Sequence, residues 1–342
     1  MISRRIRLGS IGLVICSLLG PGCRDKEGKN QLRVFMADSL SRPFNVLARA
    51  FEQSNPNVEL VQIPSGSVLA ARKLTDGKDQ ADVLAVADYL VIDKLLRPKH
   101  ADWYICFATN EIGIVHTDAS EGVAELIPDN WFQILSRKGV KVAAANPFHD
   151  PCGYWTELCW QLADLYYSAD KGGGTIVETM TAKCGEPDSR RSDSQQLLQL
   201  VESAGGIDYA FVYRSQALQH NLPFLRLPPQ INLSDVNYVD FYRQAEIELP
   251  GKTEDSTFKK KGEAIIFAIT IPKEAKYPDL AARYIKFLLS ATGRELLTAE
   301  YLTLADEPWT YDLEKVPTSL RTNITARDRS LTTTTARGDF NG

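Results

Sequence analysis

Leu32-Arg33-Val34-Phe35-Met36-Ala37 and Asp82-Val83-Leu84-Ala85-Val86-Ala87 are the two apolar runs that decide how this chain folds. Both have strand length, and the second has no polar residue after Asp82, as expected of a strand covered on both faces in a parallel sheet. Between them, Pro43 opens a helix whose Phe44, Leu47, Ala48 and Phe51 recur at the spacing of one buried helix face. Asn55-Pro56-Asn57 breaks that helix, Val58 to Ile63 is the next strand, and Ser67 starts a second helix running through Leu74. The order strand, helix, strand, helix, strand predicts a doubly wound α/β lobe with right-handed crossovers.

The same logic recurs downstream. Lys141 to Ala145 reads as a strand, and a helix from about Pro151 places Leu158, Leu162 and Leu165 on one face. Asp208 to Tyr213 and Phe224 to Leu227 read as strands, and so does Ala264 to Ile271, followed by a helix from Pro278. The chain has 342 residues, 44% hydrophobic and 24% charged, which suits two packed domains of ordinary size. The expected architecture is therefore two α/β lobes with the chain crossing between them twice. Lobe one takes residues 31–117 and 245–321, and lobe two takes 118–244. The stretch 322–342, rich in Thr, Arg and Asp, is expected to lack order. Net charge is −4, from 39 basic and 43 acidic residues, which excludes a broad basic surface for nucleic acid.

Residues 1–23 read as an export signal. Arg4, Arg5 and Arg7 precede an apolar stretch from Leu8 to Leu19, too short to span a bilayer, and Gly20-Pro21-Gly22 then leads into Cys23. Small residues before a cysteine predict a bacterial lipoprotein, with lipid on Cys23 and Arg24 to Asn30 as a tether. Pro21 fits that cleavage pattern poorly, so plain cleavage or retention is the alternative. Removing residues 1–22 takes away three arginines and no acid, leaving a net charge of −7. The protein is expected in the periplasm or on the outer face of the cytoplasmic membrane. Cys106, Cys152, Cys159 and Cys184 follow. Cys152 and Cys159 on one helix lie about 10 Å apart and cannot pair. Cys184 with either of them, or four free thiols, both fit.

Four helix starts fall where open α/β sheets bind ligands, beyond the carboxyl ends of strands. They are Asp38-Ser39-Leu40-Ser41, Ser65-Gly66-Ser67, Asn146 to Tyr154 with Asp150 before Pro151, and Ser192-Asp193-Ser194-Gln195 with capping-box spacing. Any one alone is an ordinary N-cap. Together on one cleft, their hydroxyls and free N–H groups would make an anion site. Enzyme motifs are absent: there is no His-Glu-x-x-His, Gly-x-Ser-x-Gly or Cys-x-x-Cys. Gly172-Gly173-Gly174 has no following Gly-Lys-Ser/Thr, so it reads as a loop. His149 beside Asp150 reads as a solvated loop residue, and no cofactor is expected.

Several stretches together resemble the periplasmic tungstate/molybdate-binding proteins of the ModA/WtpA type, components of ABC importers. They are Met36 to Leu40, Pro64 to Ser67, Asp82 to Tyr89, Pro98 to Asn110, Asn130-Trp131, Asn146 to Tyr154, Asp208 to Gln219, Leu227-Pro228 with Ile231 to Leu233, and Ile269 to Lys273. The resemblance runs from residue 31 to about 300. It implies a two-lobed type II periplasmic binding protein fold that closes on an oxyanion and delivers it to a permease. It also implies that Asp38-Ser39, Ser67, the Asp150-Pro151-Cys152 segment, Ser194 and Tyr213 surround the ligand, with Asp150 touching its metal centre.

Two positions depart from the pattern: Asp38 stands where the family has glycine, and Ser194 aligns with its glutamate. The family's two carboxylates expand the metal centre from four to six oxygen ligands, a chemistry suited to a hard, high-valent ion. Without a metal bond, a carboxylate facing an oxyanion is repelled by about 4 kcal/mol at 4 Å and an effective dielectric of 20. Asp38 or Asp193 replacing the lost carboxylate, an anion left tetrahedral, or a changed ligand all fit. The expected function is a monomeric solute-binding protein for molybdate or tungstate. Sulfate, phosphate or a cation held by Asp38 and Asp150 are alternative ligands, and a sensor module for a membrane kinase is the alternative role.

Overall fold

The computed structural model describes residues 29–167, 175–185, 193–203, 206–251 and 256–328. The stretch expected to be an export signal, Cys23, Gly172 to Gly174, Ser192 and the tail beyond 328 lie outside the described residues. Strands are β1 Asn30–Ala37, β2 Val58–Ser65, β3 Val83–Val86, β4 Ile105–Thr109, β5 Ile112–Val115, β6 Val142–Ala143, β7 Tyr209–Tyr213, β8 Phe224–Arg226, β9 Glu246–Pro250, β10 Thr257–Lys261, β11 Ile266–Thr270, β12 Thr303–Thr310 and β13 Thr325–Ala326.

These strands make two main sheets. A seven-stranded sheet runs β13-β12-β4-β11-β3-β1-β2, and a four-stranded sheet runs β6-β7-β5-β8. β1 pairs in parallel with β2 and β3, as the opening residues predict, while β11 runs antiparallel between β3 and β4. Both sheets are therefore mixed. β3 is buried along its whole length inside the larger one. The Ser41–Ser54 helix covers this sheet with Phe44, Leu47, Ala48 and Phe51 buried, starting two residues before Pro43. The Pro278–Leu289 helix packs Leu280, Tyr284, Ile285 and Leu288 beside it. Trp131, Trp155 and Trp160 fill the core of the smaller lobe.

The lobe boundaries differ from those expected. β5 belongs to the smaller sheet, so the outward crossing falls between β4 and β5, at Asn110-Glu111, and not at 117. The return is made just before β11: the β9–β10 hairpin still leans on the Pro151–Tyr166 helix, where Gln161 Nε2 donates to the Glu246 carbonyl (3.0 Å) and the Glu246 N–H donates to Gln161 Oε1 (3.0 Å). The crossing segments zip together through Asn110 N–H to the Ile265 carbonyl (3.3 Å), Ile112 N–H to the Asn232 carbonyl (3.0 Å) and Ile265 N–H to the Leu233 carbonyl (2.9 Å). Glu111 is buried beside them, accepting from Arg226 Nε (2.7 Å) and Asn232 Nδ2 (2.9 Å).

Two local expectations are corrected, and one that the sequence left open is decided. The strand expected over Lys141 to Ala145 shortens to Val142–Ala143. Within the segment expected to lack order, Thr325–Ala326 adds a strand beside Trp309 and Thr310. Cys106, Cys152 and Cys159 are buried free thiols, one of the two alternatives the sequence left open.

Candidate functional site

β1 and β2 end in register, with Ala37 opposite Ser65. This brings the Asp38–Leu40 turn alongside Ser65-Gly66-Ser67. Ser67 begins its helix and accepts a hydrogen bond from the Ala87 N–H at the end of β3 (3.0 Å), so three strand ends of the larger lobe meet there. From the smaller lobe, Asp150 caps the Pro151–Tyr166 helix, with Pro151 in its first turn. The Ser194–Glu202 helix touches the Asp38–Leu40 turn directly. Gly66 is the tight point between lobes: a Cβ there would lie 2.3 Å from the His149 carbonyl oxygen and 3.3 Å from Asp150 Cα.

Asp150 binds two helix starts at once. One oxygen accepts from the Cys152 N–H (2.9 Å) and the other from the Ser194 N–H (2.8 Å). Both N–H groups carry the partial positive charge of a helix N-terminus, which makes them good partners for a carboxylate. Burial pushes the Asp150 carboxyl up to about 6, with the two N–H groups pulling it back. The Cys152 N–H, expected to face an anion, is thus engaged with Asp150. Asp193 caps the second helix, its Oδ1 accepting from the Gln196 N–H (2.9 Å).

Around this brace lie buried polar atoms with no hydrogen-bond partner among the described residues: Asp38 Oδ2, Ser39 Oγ, Ser65 Oγ, Ser194 Oγ, Tyr213 OH and His149 Nδ1. Ser39 is 2% exposed, and Ser194 and Tyr213 are fully buried. Ser194 Oγ lies close enough to Asp150 and Cys152 to influence both, yet meets hydrogen-bond geometry with neither. Burial pushes the Tyr213 and Cys152 protons far above their usual range, so both side chains stay neutral. Asp38 is raised to about 8, first by burial and then by the charges of Asp150 and Asp193. Buried polar groups are ordinarily paired, so a cluster of orphans from distant parts of the chain marks a place for a hydrogen-bonding ligand.

The structure thus brings together all the residues singled out in sequence: Asp38, Ser39, Ser67, Asp150, Pro151, Cys152, Ser194 and Tyr213. Sequence reasoning named Ser65 in a candidate helix start but left it out of the set around the ligand, and it misread His149, which is packed between the lobes with a buried ring nitrogen. It also missed a buried ionic cluster behind the site. Asp88 accepts from Tyr154 OH (2.7 Å) and pairs with Lys260 (3.2 Å), both Asp88 and Lys260 being 1% exposed. Lys260 also reaches Glu263 and stands 4.1 Å over the Trp155 ring, tying the hairpin to both lobes. A separate cavity of ≈ 690 Å³, lined by Arg294, Asp306 and Asn323, contains none of the site residues. Among the described residues, no cluster of His, Cys, Asp and Glu is arranged to hold a metal ion, and no helix is long and apolar enough to cross a membrane.

Two α/β lobes meeting over buried, unpartnered hydroxyls define a solute-binding protein of the two-lobed periplasmic type. The chain belongs to the family of bacterial extracellular solute-binding proteins, whose family model matches residues 32–301. Among its relatives, an uncharacterized solute-binding protein of Petrotoga mobilis is 37% identical over 291 residues, covering 85% of this chain and 89% of its own. The molybdate/tungstate-binding protein WtpA of Pyrococcus abyssi is 36% identical over 332 residues, covering 89% of this chain and 94% of its own. Among solved structures, the periplasmic molybdate-binding protein of Azotobacter vinelandii shares the fold at a TM-score of 0.56 and 17% identity, covering 80% of this chain and 100% of its own. The sulfate-binding protein SubI of Mycobacterium tuberculosis also matches at 0.56 and 16% identity, covering 81% of this chain and 87% of its own.

Proposed function

We propose that this protein is the solute-binding component of an ABC importer and that it captures molybdate or tungstate between its lobes for delivery to a permease. The observation that carries the reading is the set of hydroxyls on Ser39, Ser65, Ser194 and Tyr213, buried without partners among the described residues where the two lobes meet. Each can donate one hydrogen bond, and none can release its proton near neutral pH, so the set suits a fully deprotonated anion. Ser67, which accepts from Ala87, can turn its own proton toward the same space. The WtpA relatives support this ligand class.

Asp150 acts in this reading as the brace that holds two helix starts in place. Each of its oxygens accepts one N–H and keeps a second lone pair toward the ligand, so the brace serves both a tetrahedral anion held by hydroxyls and one whose metal centre Asp150 touches. The protein works by binding, not turnover, and needs no cofactor. Its export signal, lipid on Cys23, placement outside the cytoplasmic membrane and action as a monomer belong to the same proposal. Closing the lobes removes the ligand from water and creates the surface a permease reads.

Isothermal titration with molybdate, tungstate, sulfate and phosphate tests the reading. Binding of molybdate or tungstate at least tenfold tighter than the other two supports it, and absence of heat with the first two overturns it. A cation held by Asp38 and Asp150 is separated by the Asp38→Gly variant, which abolishes cation binding but leaves an oxyanion site intact.

A further inference from the structure

Asp38 sits where a small dianion is to be held, and it is an acid. Its Oδ2 is sealed from solvent and has no partner, while Ser39 Oγ and Ser194 Oγ beside it are orphaned in the same way. The charged groups acting on it are Asp150 at the start of the Pro151 helix, Asp193 at the start of the Ser194 helix, and Lys73 on the Ser67–Thr75 helix. Two of those three are negative, and the Lys73 ammonium is drawn over the Phe35 ring (5.8 Å). Arg42, on the helix that follows the turn, is held by Glu300 (2.7 Å) and the Gln219 carbonyl. An ionised Asp38 against an oxyanion at 4 Å costs about 4 kcal/mol at an effective dielectric of 20, enough to lower affinity by roughly a thousandfold.

We propose that ligand capture here is proton-linked: the oxyanion enters together with one proton, which resides on the Asp38 carboxyl and is donated as an O–H hydrogen bond to the anion. This deepens the proposed function and rests on it. The proton comes from solvent, and no bond within the ligand changes. The ligand-free protein already favours the neutral acid, since burial and the neighbouring carboxylates raise Asp38 to about 8. A bound dianion raises it further. Asp38 in place of glycine then converts a neutral gap into a hydrogen-bond donor that is present only while the acid keeps its proton.

The test is titration calorimetry of the whole protein with sodium molybdate, repeated in buffers of different ionisation heat from pH 7 to 9.5, with Asp38→Asn and Asp38→Gly alongside. This window lies above Asp150, raised to about 6. Wild type should take up protons on binding, reaching about one per ligand at the alkaline end, with the dissociation constant rising by up to about tenfold per pH unit above 8. Both variants should bind with no uptake and a flat profile. Binding without uptake in wild type, or equal uptake in Asp38→Asn, overturns the inference alone. No heat with molybdate, tungstate, sulfate or phosphate overturns the proposed function with it.

Discussion

Replacing Ser39 or Ser194 by alanine separates a hydroxyl kept for a ligand from one kept for the fold. Each Oγ is buried and lacks a protein partner. A buried hydroxyl with no hydrogen bond costs about 1–3 kcal/mol in a dry site. Ligand-free protein can open its lobes and hydrate both groups, so the gain on removing one falls between zero and about 1 kcal/mol, worth at most roughly 2–4 °C in a chain of this size. Against a bound anion the same hydroxyl makes a charge-assisted hydrogen bond of about 1.5–3 kcal/mol. Losing it should weaken molybdate binding by about 10- to 150-fold. Scanning calorimetry of the ligand-free variants and titration with molybdate read the two effects. The expected pattern is equal or higher melting temperature with weaker binding. A variant that melts earlier and binds as tightly as wild type would refute the assignment of that hydroxyl to the ligand.

Gly66→Ala pushes a methyl group into the His149 carbonyl. It should weaken molybdate binding at least tenfold by wedging the two turns apart, and an unchanged affinity in titration would show that they separate freely. Lys260→Met strands Asp88 and Glu263 without their buried cation, so urea denaturation should show a loss of about 3–5 kcal/mol. For Asp38, a folded value above the unfolded 3.8 means stability is intact at low pH and lost as pH rises through about 8. The ideal slope is about 1.4 kcal/mol per pH unit; hydration of the open cleft reduces it to roughly half or less. Asp38→Asn should therefore gain on wild type from pH 4 to 8 and hold that margin above, which denaturation midpoints at several pH values will show. Native alkylation followed by mass spectrometry should leave Cys106, Cys152 and Cys159 unmodified until the protein is unfolded, because all three are sealed in the core.

The first lobe was legible because its signals are local. Apolar runs at 32–37 and 82–87, with a period-matched helix between them, admit few other folds, and the strands form where those residues are. The site was legible for a related reason: strand ends and helix starts carry serine, aspartate and proline for capping, so a binding turn and an ordinary cap look alike along the chain. What a linear reading lacks is which caps meet. Ser65 and Ala37 are brought together by the register of β1 with β2, and the Cys152 N–H is lost to a ligand only because Asp150 turns back on it. Lys260 was invisible for another reason. In Thr257 to Lys261 it is one lysine among three and reads as a solvated edge, yet it is buried against Asp88 and Trp155. The outward crossing was placed seven residues late because Ile112 to Val115 continues the apolar character of Ile105 to Thr109, and nothing in composition marks a change of sheet.

The most direct measurement is anomalous diffraction at the molybdenum edge from crystals grown with molybdate. A single peak between the Asp38-Ser39 turn and Tyr213, with its oxygens in hydrogen-bond reach of Ser39, Ser194 and Tyr213, is the expected result. A peak elsewhere on the molecule, or none at saturating molybdate, would contradict the binding of an oxyanion between these lobes.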